Sequence, residues 1–178
     1  MRMARVLSLA VCCGVLSVPA SAQEHGDVGI TIGYPAAVGV LWHVSDAVAI
    51  RPDFRVSGSS TEPSGSDGWT LGTGVSALLY MGAADNVRTY FSPRIDYQHS
   101  STSLSFLGID QSRSANAWGV AGSFGAEYTP NRRFGVFGEI GFGYSRLKTD
   151  GLTTLTPDTT GHGWGTRAGV GIIYYPGS

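Results

Sequence analysis

In segment after segment of this chain every second residue is large and apolar, and the residues between are small, hydroxylated or charged. From Val48 to Val56, Val48, Ile50, Pro52, Phe54 and Val56 alternate with Ala49, Arg51, Asp53 and Arg55. From Val87 to Tyr97, Val87, Thr89, Phe91, Pro93, Ile95 and Tyr97 alternate with Arg88, Tyr90, Ser92, Arg94 and Asp96. The pattern returns from Trp118 to Tyr128, whose other face carries Glu127, and from Phe134 to Tyr144, whose other face carries Glu139. Period two is the signature of a strand with two unlike faces, and it is incompatible with a helix, whose faces repeat every 3.6 residues.

Weaker alternation covers Trp69 to Leu79 and Trp164 to Tyr174, and two shorter runs, Val28 to Tyr34 and Val38 to Val44, precede them. The count is eight strands, or seven if Tyr34 to Ala37 is a bulge within one strand. An even number is the rule for single-chain bacterial membrane barrels, which favours eight. The predicted fold is all-β: a closed antiparallel transmembrane β-barrel of about eight strands.

A soluble, lipocalin-like barrel would share the alternation but place its apolar face inside. Interior space separates the two. Eight strands enclose a lumen just wide enough for side chains, and in this chain most glycines, serines and charges share one parity while most Trp, Phe, Ile and Val share the other. The small residues suit the lumen and the large ones an apolar solvent. Arg or Lys facing lipid near the midplane costs roughly 2 to 4 kcal/mol, and no Asp, Glu, Lys or Arg falls on the apolar parity of any of these segments. Arg51, Asp53, Arg55, Arg88, Arg94, Asp96, Glu127, Glu139 and Arg167 are therefore expected to face the lumen. Both signs are present, so a network of ion pairs and no wide pore is expected, because a buried unpaired charge is costly.

Aromatic residues flank the segments as the interfacial girdles of a membrane barrel do. Tyr34, Trp69, Tyr97, Trp118, Tyr144 and Trp164 fall at outer ends, and Trp42, Tyr128, Phe134 and Tyr174 at inner ends. The connections at Ser45-Asp46, Gly82 to Asn86 and Thr129 to Arg133 are short, and those at 57–68, 98–116 and 146–162 are long. Short periplasmic turns and long outer loops are the expected asymmetry. Pro52 and Pro93 cannot donate to a sheet ladder, and each is expected to mark a bulge.

Met1-Arg-Met-Ala-Arg5, the apolar run from Val6 to Val18 and Pro19-Ala20-Ser21-Ala22 have the three parts of a secretory signal. Cleavage is expected after Ala22, dividing the chain into a signal peptide, 1–22, and a barrel domain, 23–178. A retained helix is disfavoured because the run falls short of the ~20 residues that span a bilayer. Cys12 and Cys13 both lie in the leader, so the mature part has no thiol or Cys-metal site. Reading Cys12 as a lipidation site puts the bulky Val11 where a small residue belongs. The leader takes Arg2 and Arg5 with it, leaving ten basic against thirteen acidic side chains. No basic tract points to nucleic acid.

The leader, the alternation, the short Asp- and Asn-bearing turns and the run Val44-Ser45-Asp46-Ala47-Val48-Ala49-Ile50-Arg51-Pro52 together resemble the small outer-membrane β-barrel domain family, with a layout similar to the OmpA membrane domain and OmpX. That resemblance implies a location in the bacterial outer membrane, contact with its lipid and insertion by the outer-membrane assembly machinery. Members usually end on an aromatic residue that this machinery reads, whereas this chain ends Tyr174-Tyr175-Pro176-Gly177-Ser178.

Outer-membrane barrels also include lipid A acyl hydrolases. His99-Ser100-Ser101 faintly resembles their His-x-Ser, in which His activates a Ser nucleophile, but no carboxylate follows at short range. A Ser/Thr-rich segment with one His is the plainer reading. His25, His43 and His162 are scattered without metal-ligand spacing, and Asp150 to Asp158 reads as solvated polarity before it reads as a cation site. No catalytic site, metal or cofactor is expected. A structural or surface-exposed barrel is favoured over a lipid-modifying enzyme and a narrow channel.

Overall fold

The structure is a computed structural model in which residues 26–34, 37–61, 66–106, 109–150 and 157–177 are described, without the side chains of 104–111. The leader and the expected cleavage site lie outside these residues. Eight strands follow in chain order: β1 (Val28–Tyr34), β2 (Ala37–Ser45), β3 (Val48–Thr61), β4 (Ser66–Ala84), β5 (Val87–Phe106), β6 (Ile109–Asn131), β7 (Phe134–Thr149) and β8 (Thr159–Tyr174). Each pairs antiparallel with its sequence neighbours, and β1 pairs with β8, so the ring closes. Over the height of β1 and β2, closure removes the free sheet edges that an open sheet of this size would leave.

Following the register from Ile32 through Val38, Phe54, Thr73, Tyr97, Trp118 and Arg146 ends on β8 at His162. That is ten residues from Ile172, the residue that Ile32 itself pairs with. A stagger of this size goes with strands tilted by roughly 35 to 45° and an interior that side chains can fill.

The turns at one end are tight. Two residues, Asp46-Ala47, Asp85-Asn86 and Arg132-Arg133, connect β2 to β3, β4 to β5 and β6 to β7. Asp85 has φ +51°, a left-handed conformation that Asp and Asn tolerate better than other side chains. Gly82 to Ala84 and Thr129 to Asn131, expected in turns, belong to strands.

At the far end the difference is larger. Much of 57–68, 98–116 and 146–162, expected as loops, is strand: β5 and β6 stay paired from Val87↔Tyr128 to Phe106↔Ile109. A ladder needs only backbone partners, so it continues through polar stretches whose side chains no longer alternate in hydropathy. The run from Gln98 to Ser103 is such a stretch.

The prolines correct a second expectation. The register shifts at His43/Ser45, Tyr80/Gly82 and Tyr128/Asn131, all beside the tight turns. Pro52 and Pro93 leave the register unshifted: Gly39↔Asp53 and Trp42↔Ile50 share one register across Pro52, as do Ser76↔Arg94 and Leu79↔Phe91 across Pro93. Each proline keeps regular pairing on its other side, Pro52 with Val75 and Pro93 with Gly122. An antiparallel residue offers its N–H to one neighbour only, so a missing donor thins one ladder without adding a residue.

Ile30, Ile32, Val40, Phe54, Val75, Ile95, Phe124, Ile140 and Val170 point outward and are exposed, whereas Leu41, Ala49, Leu78, Tyr90, Phe137, Ile173 and Tyr175 are buried inside. An apolar band of this extent around a closed ring is stable only against another apolar phase.

Candidate functional site: the charged lumen

The alternation of β3, β5, β6, β7 and β8 delivers every charged residue of the lumen set to the interior. Near the tight turns, Glu127 is fully buried. It lies 3.4 Å from the Arg88 guanidinium and accepts hydrogen bonds from Tyr80 (2.8 Å) and Tyr175 (3.1 Å). The Arg88 guanidinium also lies over the Tyr80 ring, 4.1 Å from its centroid. His43 stacks on Tyr80 at 5.7 Å and places Nε2 3.2 Å from the Tyr175 hydroxyl. Burial, reinforced by the Glu127 carboxylate, pushes the Tyr175 phenol up from its ordinary value, which keeps it a donor.

One layer further on, Arg51 donates to both Glu139 oxygens, at 2.9 and 2.8 Å, while Tyr90 donates to the same carboxylate at 3.3 Å. Arg51 also sits 4.8 Å over the Phe137 ring. The lumen makes room for these rings with glycine. A Cβ on Gly125 would stand 2.5 Å from the Tyr90 ring, and one on Gly171 2.6 Å from the Phe137 ring.

Above this layer Arg94 forms an ion pair with Asp53, donates to Ser76 at 3.2 Å and lies 3.5 Å from Asp96, which also pairs with Arg167 at 2.5 Å. Arg55 donates to the neutral Gln98 at 3.0 Å. The charges thus form three layers across the lumen, each bridging strands that are not neighbours. Pairing and hydrogen bonding offset the desolvation that would otherwise cost several kcal/mol per ion.

Sequence parity placed the charges on this face. It did not identify His43, Tyr80, Tyr90, Phe137 and Tyr175 as part of the filling. The available signal was their parity: aromatic residues on a polar face are lumen-filling groups.

On the exterior, Trp42, Tyr128, Phe134 and Tyr174 ring the tight-turn end, and Trp69, Tyr97, Trp118, Tyr144 and Trp164 ring the other. Tyr144 packs against Trp164 at 4.8 Å and Trp118 at 6.0 Å. Tyr34, expected in this second ring, sits lower. It pairs with Val170, six residues along β8 from Trp164.

His99 lies on the outer face with Trp69, and its Nδ1 is 2.7 Å from the Asn116 amide oxygen. Ser100 donates to the Ala115 carbonyl at 3.5 Å. These contacts bring no carboxylate to the His-x-Ser segment. His162 packs beside Tyr144 at 6.4 Å, far from His43, and His25 lies outside the described residues. Asp150 accepts from Ser114 and Asp158 pairs with Lys148. No cluster of three metal-ligating side chains occurs among the described residues.

A closed antiparallel ring with an apolar girdled exterior and an ion-paired interior defines the class of membrane β-barrels. The chain belongs to the outer membrane protein beta-barrel domain family, whose model matches residues 8–178. No curated protein sequence matches it. Among solved structures, it is similar to a major outer membrane protein from Thermus thermophilus, with 10% identity, a TM-score of 0.56 and coverage of 83% of this chain and 98% of that one. Similarity to CarO of Acinetobacter baumannii is lower, with 14% identity, a TM-score of 0.41 and coverage of 84% and 96%. The first shows a shared fold.

Proposed function

We propose that the protein is a structural, surface-exposed component of the outer membrane whose lumen is plugged by its own charged side chains, in keeping with its resemblance to the OmpA membrane domain and OmpX. The observation that carries this reading is the layer of Glu127, Arg88, Tyr80, Tyr175 and His43, which joins β2, β4, β5, β6 and the residue after β8 across the interior. Opening a water path through it means separating a buried ion pair, an unfavourable step. In this reading the signal is removed after Ala22, the assembly machinery inserts the barrel, and the tight turns face the periplasm. The hairpins extending past the second aromatic ring present the surface that other molecules meet. Neither catalysis nor a cofactor is part of it.

The test is conductance in planar bilayers with the refolded barrel. No stable current is expected at moderate voltage. A steady, reproducible single-channel conductance would replace the plugged barrel with a narrow channel.

A further inference from the structure

The barrel wall is not of uniform height. β1 and β2 end in a low hairpin: Tyr34 pairs with Val170, and Val38 with Phe54. On one side of this hairpin, β8 continues from Gly169 up to Thr159 with pairing to β7 alone; on the other, β3 continues from Val56 to Thr61 with pairing to β4 alone. Among the described residues, a notch lies between them. Its floor is lower than the ring of Trp69, Tyr97, Trp118, Tyr144 and Trp164 by several residues of tilted strand, on the order of 10 Å. The notch therefore opens sideways, within the apolar band, on the side of that second ring.

A cavity of about 360 Å³ lies behind it. Its walls are the hairpin (Thr31, Gly33, Tyr34, Ala37), the flanking strands (Arg51, Asp53 and Arg55 of β3; Thr166 to Gly169 of β8) and groups from across the lumen that include Arg94 and Glu139. Four guanidinium groups, Arg51, Arg55, Arg94 and Arg167, line this cavity, and three carboxylates pair with them: Asp53 and Glu139 in its wall and Asp96, which bridges Arg94 and Arg167. The surplus cation is Arg55, which lines the cavity from β3 and runs over Gly72 of β4 to donate to neutral Gln98 of β5. Above, a Cβ on Gly161, Gly163 or Gly165 would meet nothing within 4 Å. Outside, Tyr34, Val56 and Trp164 are more than three-fifths exposed and frame the opening.

We infer that the notch admits one anionic amphiphile, with its carboxylate or phosphate headgroup on Arg55 inside the lumen and its acyl chain leaving through the gap between β3 and β8 into the membrane. Each half of such a molecule meets its match. The headgroup neutralises the surplus guanidinium, and the chain lies against Tyr34, Val56 and Trp164. The headgroup also brings hydrogen-bonding atoms to strand edges at a depth where lipid supplies none. Neither a small free anion nor a neutral amphiphile satisfies both sides. This site goes beyond the plugged-barrel reading, which is judged separately by conductance.

The test uses the refolded barrel in a non-ionic detergent with dansyl-undecanoate as a fluorescent probe. Saturable binding of about one probe per barrel is expected, displaced by laurate and by dodecyl phosphate but not by dodecanol or inorganic phosphate. Stronger displacement by laurate identifies a free carboxylate amphiphile, and stronger displacement by dodecyl phosphate a phospholipid-type headgroup; both support the site. Arg55→Gln, which loses only a bond to a neutral partner, is expected to weaken binding tenfold or more. Gly165→Trp, built into open space, is expected to block it, with retention of a heat-dependent electrophoretic shift showing that both variants fold. Absence of saturable binding to the folded wild type would overturn the proposal. So would displacement by dodecanol or inorganic phosphate as strong as by laurate, or an unchanged affinity in folded Arg55→Gln.

Discussion

At the scale of single residues, Glu127 holds the layer beside the tight turns together, because one carboxylate serves Arg88, Tyr80 and Tyr175. Replacing it with Ala deprives a buried guanidinium of this carboxylate and is expected to lower stability by about 3 to 5 kcal/mol. Tyr175→Phe removes one hydroxyl and leaves the ring in place, for a loss of about 1 kcal/mol. Urea unfolding in lipid vesicles, followed by tryptophan emission, measures both. Equal losses for the two variants would mean that the layer is held by packing and not by the carboxylate. Parity alone told which face each charge occupies, since consecutive side chains of a strand point to opposite sides. It could not tell which charges meet. Arg51 and Glu139 are 88 residues apart and come together only because the barrel's stagger brings β3 and β7 to the same level. That stagger is a property of all eight ladders and leaves no mark on any one strand.

At the scale of elements, the starts of β3, β5 and β7 at the tight turns were legible, β4 and β6 ran a few residues into the expected turns, and the far ends were not legible. Val48, Val87 and Phe134 start strands where the alternation starts, because the tight turns and the apolar band begin together at that end. At the far end, hydropathy stops alternating where the strand leaves lipid, but backbone pairing continues into water. β5 and β6 therefore outrun their apolar pattern, from Gln98 to Phe106 and from Ile109 to Ala117. Hydrogen exchange separates the two readings. Amides of Gln98 to Ser103 that point to a paired neighbour are expected to exchange at least about tenfold more slowly than unstructured peptide amides, as ordered ladders do. Exchange at the peptide rate throughout this stretch would return it to loop. The prolines carry the same lesson: Pro52 and Pro93 are readable as lost donors, but whether a lost donor shifts the register depends on the neighbouring strand.

At the scale of the whole molecule, the direction in which the barrel faces its solvent is tied to four residues. Every tryptophan of the chain, Trp42, Trp69, Trp118 and Trp164, points outward, and none belongs to the lumen. Trp42 stands near the tight turns, and the other three stand toward the opposite end, so the indoles occupy two belts and leave the mid-height of the wall to Ile, Val and Phe. Indole rings settle at the level of the headgroups, where an apolar ring and a polar N–H are both accommodated. In vesicles, lipids brominated near the headgroup end of the acyl chain are therefore expected to quench most of the tryptophan emission, lipids brominated at the chain terminus less, and aqueous iodide least. Only a membrane barrel with two interfacial belts produces that order. A soluble barrel of the same strand order, apolar inside, would hide indoles from both lipid reagents. Emission indifferent to brominated lipid would thus reverse the assignment of inside and outside on which the lumen, the plug and the notch all depend.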